Sequence, residues 1–152
     1  MSHYEKLRPS TYIEVCECVI LNRILLVYIF SNNPIHCFEC KNEIDPERLG
    51  LTEKQVDQIA SWNRVSEALN NLWLNSGEYE SWAKDKLLDK NGQVNIEGLA
   101  IASEMSKYWP TYYWWFYEDE DPLPIKCPNC GQRLDKDTQH GHGKCNICHV
   151  VV

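Results

Sequence analysis

Cys127-Pro128-Asn129-Cys130-Gly131 and Cys145-Asn146-Ile147-Cys148, with fourteen residues between Cys130 and Cys145, stand in the last part of a 152-residue sequence. Tetrahedral zinc takes four sulfurs at about 2.3 Å, and a Cys-x-x-Cys turn brings two of them to one ion while backbone N–H groups point at the thiolates. Gly131 can adopt the left-handed conformation that releases the chain into the next strand. With 132–134 and 150–152 as short strands, residues 125–152 read as a zinc ribbon. A disulfide or redox pair is the competing reading.

Upstream, Cys16 and Cys18 lie two apart, so on an extended strand they share a face. Cys37 and Cys40 form a second Cys-x-x-Cys after eighteen intervening residues. These four cysteines can close a second tetrahedral site; in the competing reading Cys16 and Cys18 are buried reduced thiols and the other pair belongs elsewhere. All eight cysteines fall in close pairs, which in a reducing compartment are metal ligands rather than disulfides. Residues 1–10 carry charges and a proline instead of a basic stretch and an apolar run, and 19–30 is too short and too polar in its middle to span a bilayer. The expectation is a cytoplasmic protein holding two structural zinc ions. Eight thiolates complete both shells, so His36, His140, His142 and His149 are read as packing or solvent-facing residues. Four sulfurs leave no open position for a catalytic water.

Between the cysteine groups the pattern is helical. Thr52 and Gln55 read as a capping box opening a helix in which Val56, Ile59, Ala60, Val65, Leu69, Leu72 and Trp73 recur at helical spacing as far as Gly77. A shorter helix with Tyr79, Trp82, Lys86 and Leu87 on one face ends at Asp89-Lys90-Asn91-Gly92. Asn95 reads as the cap of a third helix with Ile96, Leu99, Ala102, Met105 and Trp109 as its stripe, and Pro110 terminates it. Residues 11–30 read as a β-hairpin turning at Asn22-Arg23, and Thr111-Tyr112-Tyr113-Trp114-Trp115-Phe116-Tyr117 as a largely buried strand. The fold expected is α+β, with helices packed on a small antiparallel sheet. Its parts are a core over 1–117 with the N-terminal zinc site, an acidic linker over 118–124, and the ribbon over 125–152.

Fifteen Lys plus Arg against 22 Asp plus Glu give a net charge of -7, and two four-thiolate zinc sites would take it to about -11. The whole molecule is a poor polyanion binder, and a basic protein is the easier partner. Glu118, Asp119, Glu120 and Asp121 are partner-binding candidates, as are Trp114 and Trp115 if one face of their strand is exposed. Adjacent strand residues point to opposite faces, so these two tryptophans cannot serve one surface. For nucleic acid the candidates are Lys126, Arg133 and Lys144 in the mildly basic ribbon. No phosphate loop, nucleophile elbow or His-Glu-x-x-His helix is present, so neither an enzyme nor a small-molecule substrate is expected.

With these residues in hand, the chain resembles a prokaryotic family of uncharacterised proteins described as Zn-ribbon-containing and nucleic-acid-binding. The likeness is carried by Cys16-Glu17-Cys18, by Asn33-Pro34-Ile35-His36-Cys37-Phe38-Glu39-Cys40, by Ile96-Glu97-Gly98-Leu99-Ala100-Ile101-Ala102, by Pro110-Thr111-Tyr112-Tyr113 and by Cys127-Pro128-Asn129-Cys130-Gly131. The resemblance implies zinc at both ends and no catalytic residue. Members of that family are longer, with a further N-terminal region whose role is not carried over. Two readings of function follow. The first is a non-enzymatic protein-interaction module, of the immunity type that covers a basic toxin or nuclease; the alternative is a zinc-ribbon nucleic-acid-binding protein.

Overall fold

The computed structural model describes residues 2–8 and 14–152. Three helices follow one another: α1 (Glu53–Asn75), α2 (Glu80–Leu88) and α3 (Gln93–Met105). Short strands flank them, β1 (Ile24–Leu26) and β2 (Ile35–Cys37) before, β3 (Thr111–Trp114), β4 (Lys144–Cys145) and β5 (Val150–Val151) after. The strands form one sheet in the order β2-β1-β3-β5-β4. It is mixed, which corrects the antiparallel expectation: β1 with β3 and β3 with β5 are parallel, while β2 with β1 and β4 with β5 are antiparallel. The reason is the helical segment between β2 and β3. A crossover of that length lets β3 return alongside β1 in the same direction, which a hairpin cannot do.

The hairpin is also displaced. Its arms are β1 and β2, with Leu25 opposite His36, and its turn is Ser31-Asn32-Asn33-Pro34 rather than Asn22-Arg23. Asn33 fixes that turn by accepting from the Ile35 N–H at 2.9 Å and donating to the Ile44 carbonyl at 2.7 Å. Of the proposed first arm, Thr11, Tyr12 and Ile13 lie outside the described residues, and Val15 makes only a single bridge, to Glu43.

Helix α1 begins as read: the Thr52 hydroxyl accepts from the Gln55 N–H and the Gln55 side chain accepts from the Thr52 N–H. Helix α3 is capped by Gly92, not Asn95. Asn95 is buried inside the first turn, where its amide donates to the Leu87 and Asp89 carbonyls, both at 2.9 Å. Its oxygen accepts from the Tyr113 hydroxyl at 2.7 Å, so one side chain ties the α2–α3 turn to the central strand. On α2 the buried residues are Ala83 and Leu87, whereas Tyr79 and Trp82 are exposed; Ile96 on α3 is exposed as well.

Alternation along the strands divides the sheet into two faces. Ile24, Leu26, Tyr113, Trp115, Val150 and Val152 join Ile59, Trp62 and Met105 of the helices in the main core. On the other face Leu25, Val27, Phe38, Tyr112 and Val151 form a smaller cluster edged by Trp114. Residues from 125–152 therefore contribute two strands to the sheet and apolar side chains to the main core. Residues 118–121 are held to α2, since Lys84 pairs with Glu118 and with Asp121 at 2.8 Å. No helix among the described residues is long and apolar enough to cross a membrane.

Candidate metal centres

Cys16, Cys18, Cys37 and Cys40 converge at one place and Cys127, Cys130, Cys145 and Cys148 at another, each set with its Sγ atoms within 4.8 Å of one another. All eight cysteines are free of disulfides. Four sulfurs about 2.3 Å from a tetrahedral ion stand about 3.8 Å apart, and Cys130 and Cys145 Sγ are separated by 3.7 Å. Two all-sulfur, four-ligand groups fit two structural zinc ions, as the spacing implied.

The three Cys-x-x-Cys turns share a positive-φ exit, and those at Cys37 and Cys127 also share their backbone hydrogen bonds. Cys37 N–H donates to the Asn42 carbonyl (2.9 Å) and Lys41 N–H to the Cys37 carbonyl (2.8 Å); Cys127 N–H donates to Gln132 (2.7 Å) and Gly131 N–H to Cys127 (2.9 Å). The residue after the second cysteine has positive φ in each turn: Lys41 at 66°, Gly131 at 78° and His149 at 55°. Only glycine takes that region without strain. The other two are held there by packing, because the Lys41 ammonium lies 4.9 Å from the Trp114 ring centroid and the His149 imidazole stacks on Tyr112 at 4.9 Å and 20°.

Residues outside the cysteine motifs complete the surroundings. Arg48 donates to the Cys16 carbonyl at 3.0 Å and to the Cys18 carbonyl, and its Nη1 stands 3.7 Å from Cys16 Sγ. Asn129 Nδ2 lies 3.4 Å from Cys148 Sγ, as does the Cys148 N–H from Cys145 Sγ. These donors offset thiolate charge. Asn129 stands within the Cys-Pro-Asn-Cys turn, where its type could have flagged it, whereas Arg48 carries no local signal because its partners are 30 and 32 residues away. None of the four histidines belongs to either sulfur group. His36 Nδ1 bonds the Lys41 carbonyl, His142 packs on Tyr117, and His140 binds the Phe38 carbonyl while lying against Phe38 and Trp114. With Gln139 donating to the Glu39 carbonyl at 2.9 Å, the His140 loop joins the ribbon to the N-terminal zinc turn.

Among the partner candidates, Asp119 and Glu120 are exposed, Glu118 and Asp121 are engaged by Lys84, and Trp114 is half-buried. The Trp115 ring is 1% exposed and faces the core, so it offers no surface. Lys126 and Arg133 are exposed and bridge each other across the ribbon, while Lys144 is half-buried in β4.

Burial pushes the Cys127 thiol up to about 12, whereas the Gln132 backbone N–H holds Cys130 below the ordinary thiol range. In the metal-free ribbon Cys127 is therefore protonated at neutral pH, and zinc must displace its proton. Zinc binding is accordingly expected to release protons, to strengthen as pH rises and to weaken as pH falls. Titration calorimetry in buffers of different ionisation enthalpy should show net proton release on zinc binding at pH 7; a buffer-independent heat contradicts this.

Comparison with protein-family models, curated proteins and solved structures finds no match.

Proposed function

We infer that this chain is a non-enzymatic zinc-binding protein-interaction module, of the immunity type that covers a basic toxin or nuclease. The observation that carries the reading is apolar exposure at the metal turns. Ile147, between two zinc ligands, is 78% exposed, and Val19 and Ile20, directly after Cys18, are 95% and 70% exposed. Large apolar side chains on a backbone stiffened by metal lose little freedom on binding, which is the property of interface anchors. The charge of -7, more negative with zinc, would steer a basic partner and suits the resemblance less well in its nucleic-acid part.

Nucleic-acid binding through the ribbon is the second reading, favoured by the Lys126–Arg133 bridge, which sets two exposed cations on one face. Base stacking on the sheet gains no support, because protein groups already occupy those rings. Arg23 lies 4.0 Å from the Phe38 centroid, Lys41 lies over Trp114, and His149 stacks on Tyr112.

Capture from native lysate by the zinc-loaded chain, with and without nuclease, separates the two. The interaction reading expects one basic partner that survives nuclease and is lost with Ile147→Asp or Val19→Asp/Ile20→Asp. Recovery of nucleic acid, with partners lost on digestion and with Lys126→Glu/Arg133→Glu, would overturn it.

A further inference from the structure

Strands β1, β3 and β5 run parallel, with Ile24 opposite Thr111 and Tyr113 opposite Val150, so the segments that enter them lie at one end of the sheet. Those segments carry Val19 and Ile20 before β1, Tyr108 before β3 and Ile147 before β5, and Tyr108, at 68% exposed, stands out from the surface as the others do. Both sulfur groups lie at the same end, because Cys37 closes β2 opposite Ile24 and Cys145 closes β4 opposite Val150. The two apolar metal turns are therefore parts of one surface, with the end of α3 between them.

Contacts across this end make the surface continuous. Arg48 donates to the Cys18 carbonyl, and Leu49 beside it shares a groove of about 180 Å³ with Leu51, Met105, Tyr108 and Trp109. Ser106, at the end of α3, lines a second groove of about 330 Å³ with Leu99, Ser103 and Ile147. Adjacent strands stand about 4.8 Å apart, which sets the turn before β5 about 10 Å from the turn before β1. Seven residues of helix rise about 10.5 Å, with side chains at i, i+3 or i+4 and i+7 along one stripe.

The charge at this end selects the partner. Each group of four thiolates around zinc carries two negative charges, Glu14 and Glu17 are exposed beside Cys16, and α3 ends here with no basic residue in its last turn to offset its dipole. Among the described residues, the nearby cations are engaged within the chain: Arg23 by Glu39 at 3.0 Å, Arg48 by the Cys16 and Cys18 carbonyls, and Lys107 by Glu104 at 2.8 Å. Lys41 reaches away to Trp114 at the far end of β3, and Lys126, beside Cys127, is the exposed exception.

We propose that this end of the sheet is a single docking face for a basic amphipathic helix of a partner protein, lying across the strands with successive apolar turns on Val19 and Ile20, on Tyr108 and on Ile147. The proposal rests on the protein-interaction reading above and adds the shape of the partner. A helix satisfies its own backbone and can cross the strand ends, whereas an extended segment needs a free sheet edge to pair with. The same negative charge disfavours phosphate backbones and anionic lipid.

The test titrates the full, zinc-loaded chain into a fluorescently labelled synthetic helical peptide of leucine and lysine, its leucines all on one face, and reads anisotropy. Ile147→Ala, Tyr108→Ala and Val19→Ala/Ile20→Ala should each weaken binding about tenfold, the effect of losing an anchor. Zinc content and melting temperature should stay at parent values, because all four side chains are exposed. Glu17→Lys should weaken binding about threefold and Lys126→Glu should not weaken it. A peptide of the same composition with its leucines scattered round the helix should bind about tenfold less tightly than the first, since its charge is kept and its apolar stripe is lost. No binding, equal binding of the two peptides, or parent affinity in Tyr108→Ala overturns the proposal. Capture from lysate keeps this failure apart from failure of the reading beneath it. A basic partner lost with Ile147→Asp but retained by Tyr108→Asp leaves the interaction reading standing and refutes the single face; peptide binding as expected with no basic partner captured refutes the immunity reading and leaves the face.

Discussion

Replacing Cys145 with serine is expected to unfold the whole chain at 25 °C rather than to loosen the ribbon. Cys145 ends β4, whose neighbour β5 lies against β3 in the middle of the sheet, with Tyr113 opposite Val150 and Trp114 opposite Val151. Without zinc at this site the segment has two short strands and no helix to hold it in place. Once it detaches, Val150, Val151 and Val152, all buried, return to water. At about 1.5–3 kcal/mol each, that loss is about 5–9 kcal/mol, against a total stability on the order of 5–15 kcal/mol for a typical domain. The zinc itself accounts for about 10–16 kcal/mol of apparent binding energy in small zinc-folded peptides. Metal analysis should give two zincs per chain for the parent and one or none for Cys145→Ser. Far-UV circular dichroism and tryptophan emission should then be lost together, since Trp62 and Trp115 sit in the core that β5 borders. A variant that keeps native emission and a cooperative melt while losing one zinc would make the ribbon an independent unit; fewer than about one zinc in the parent would remove the premise.

The ends of α1 and both metal centres are legible because they are written locally. Thr52 and Gln55 cap within one turn, and cysteines two or three residues apart must approach one another whatever the rest of the chain does. The sheet is not written locally. Residues on both sides of Asn22-Arg23 have strand character, so a turn there is a sound local reading, yet the partner of 24–26 is decided by Asn33, whose side chain locks the later turn. Parallel pairing of β1 with β3 leaves no mark near either strand, since it depends on how three helices pack between them. Asn95 shows the same conflict at one residue: its type suits a helix cap, but two carbonyls of the preceding turn and the Tyr113 hydroxyl draw it inward. The His140 contact with Phe38 spans 102 residues, beyond any pattern the sequence displays.

Gly98→Ala is expected to destabilise the protein by about 2–4 kcal/mol, although alanine is the better helix former by about 1 kcal/mol. Gly98 is the point at which α3 meets β3, and it brings into contact two of the stretches that carry the family resemblance, 96–102 and 110–113. A Cβ there would stand 2.3 Å from Tyr113 Cε1, 2.7 Å from its Cζ and 3.0 Å from Trp62 Nε1. Neither ring is a free end that can swing away. The Tyr113 hydroxyl is bound to Asn95 at 2.7 Å and Trp62 Nε1 to the Val94 carbonyl at 2.9 Å, both in the interior. Overpacking costs about 1–3 kcal/mol, and pulling the Tyr113 hydroxyl from its acceptor about 1–3 kcal/mol more, which together outweigh the gain in helix propensity. Urea denaturation of the zinc-loaded protein measures the difference, with the exposed Ser103→Ala on the same helix as the control for propensity alone. Combining Gly98→Ala with Tyr113→Leu should cost less than the sum of the two changes, because the smaller side chain vacates the space that the methyl needs. Strict additivity, or a Gly98→Ala protein within about 0.5 kcal/mol of the parent, would mean that α3 shifts on the sheet without strain and that the glycine is not what sets their separation.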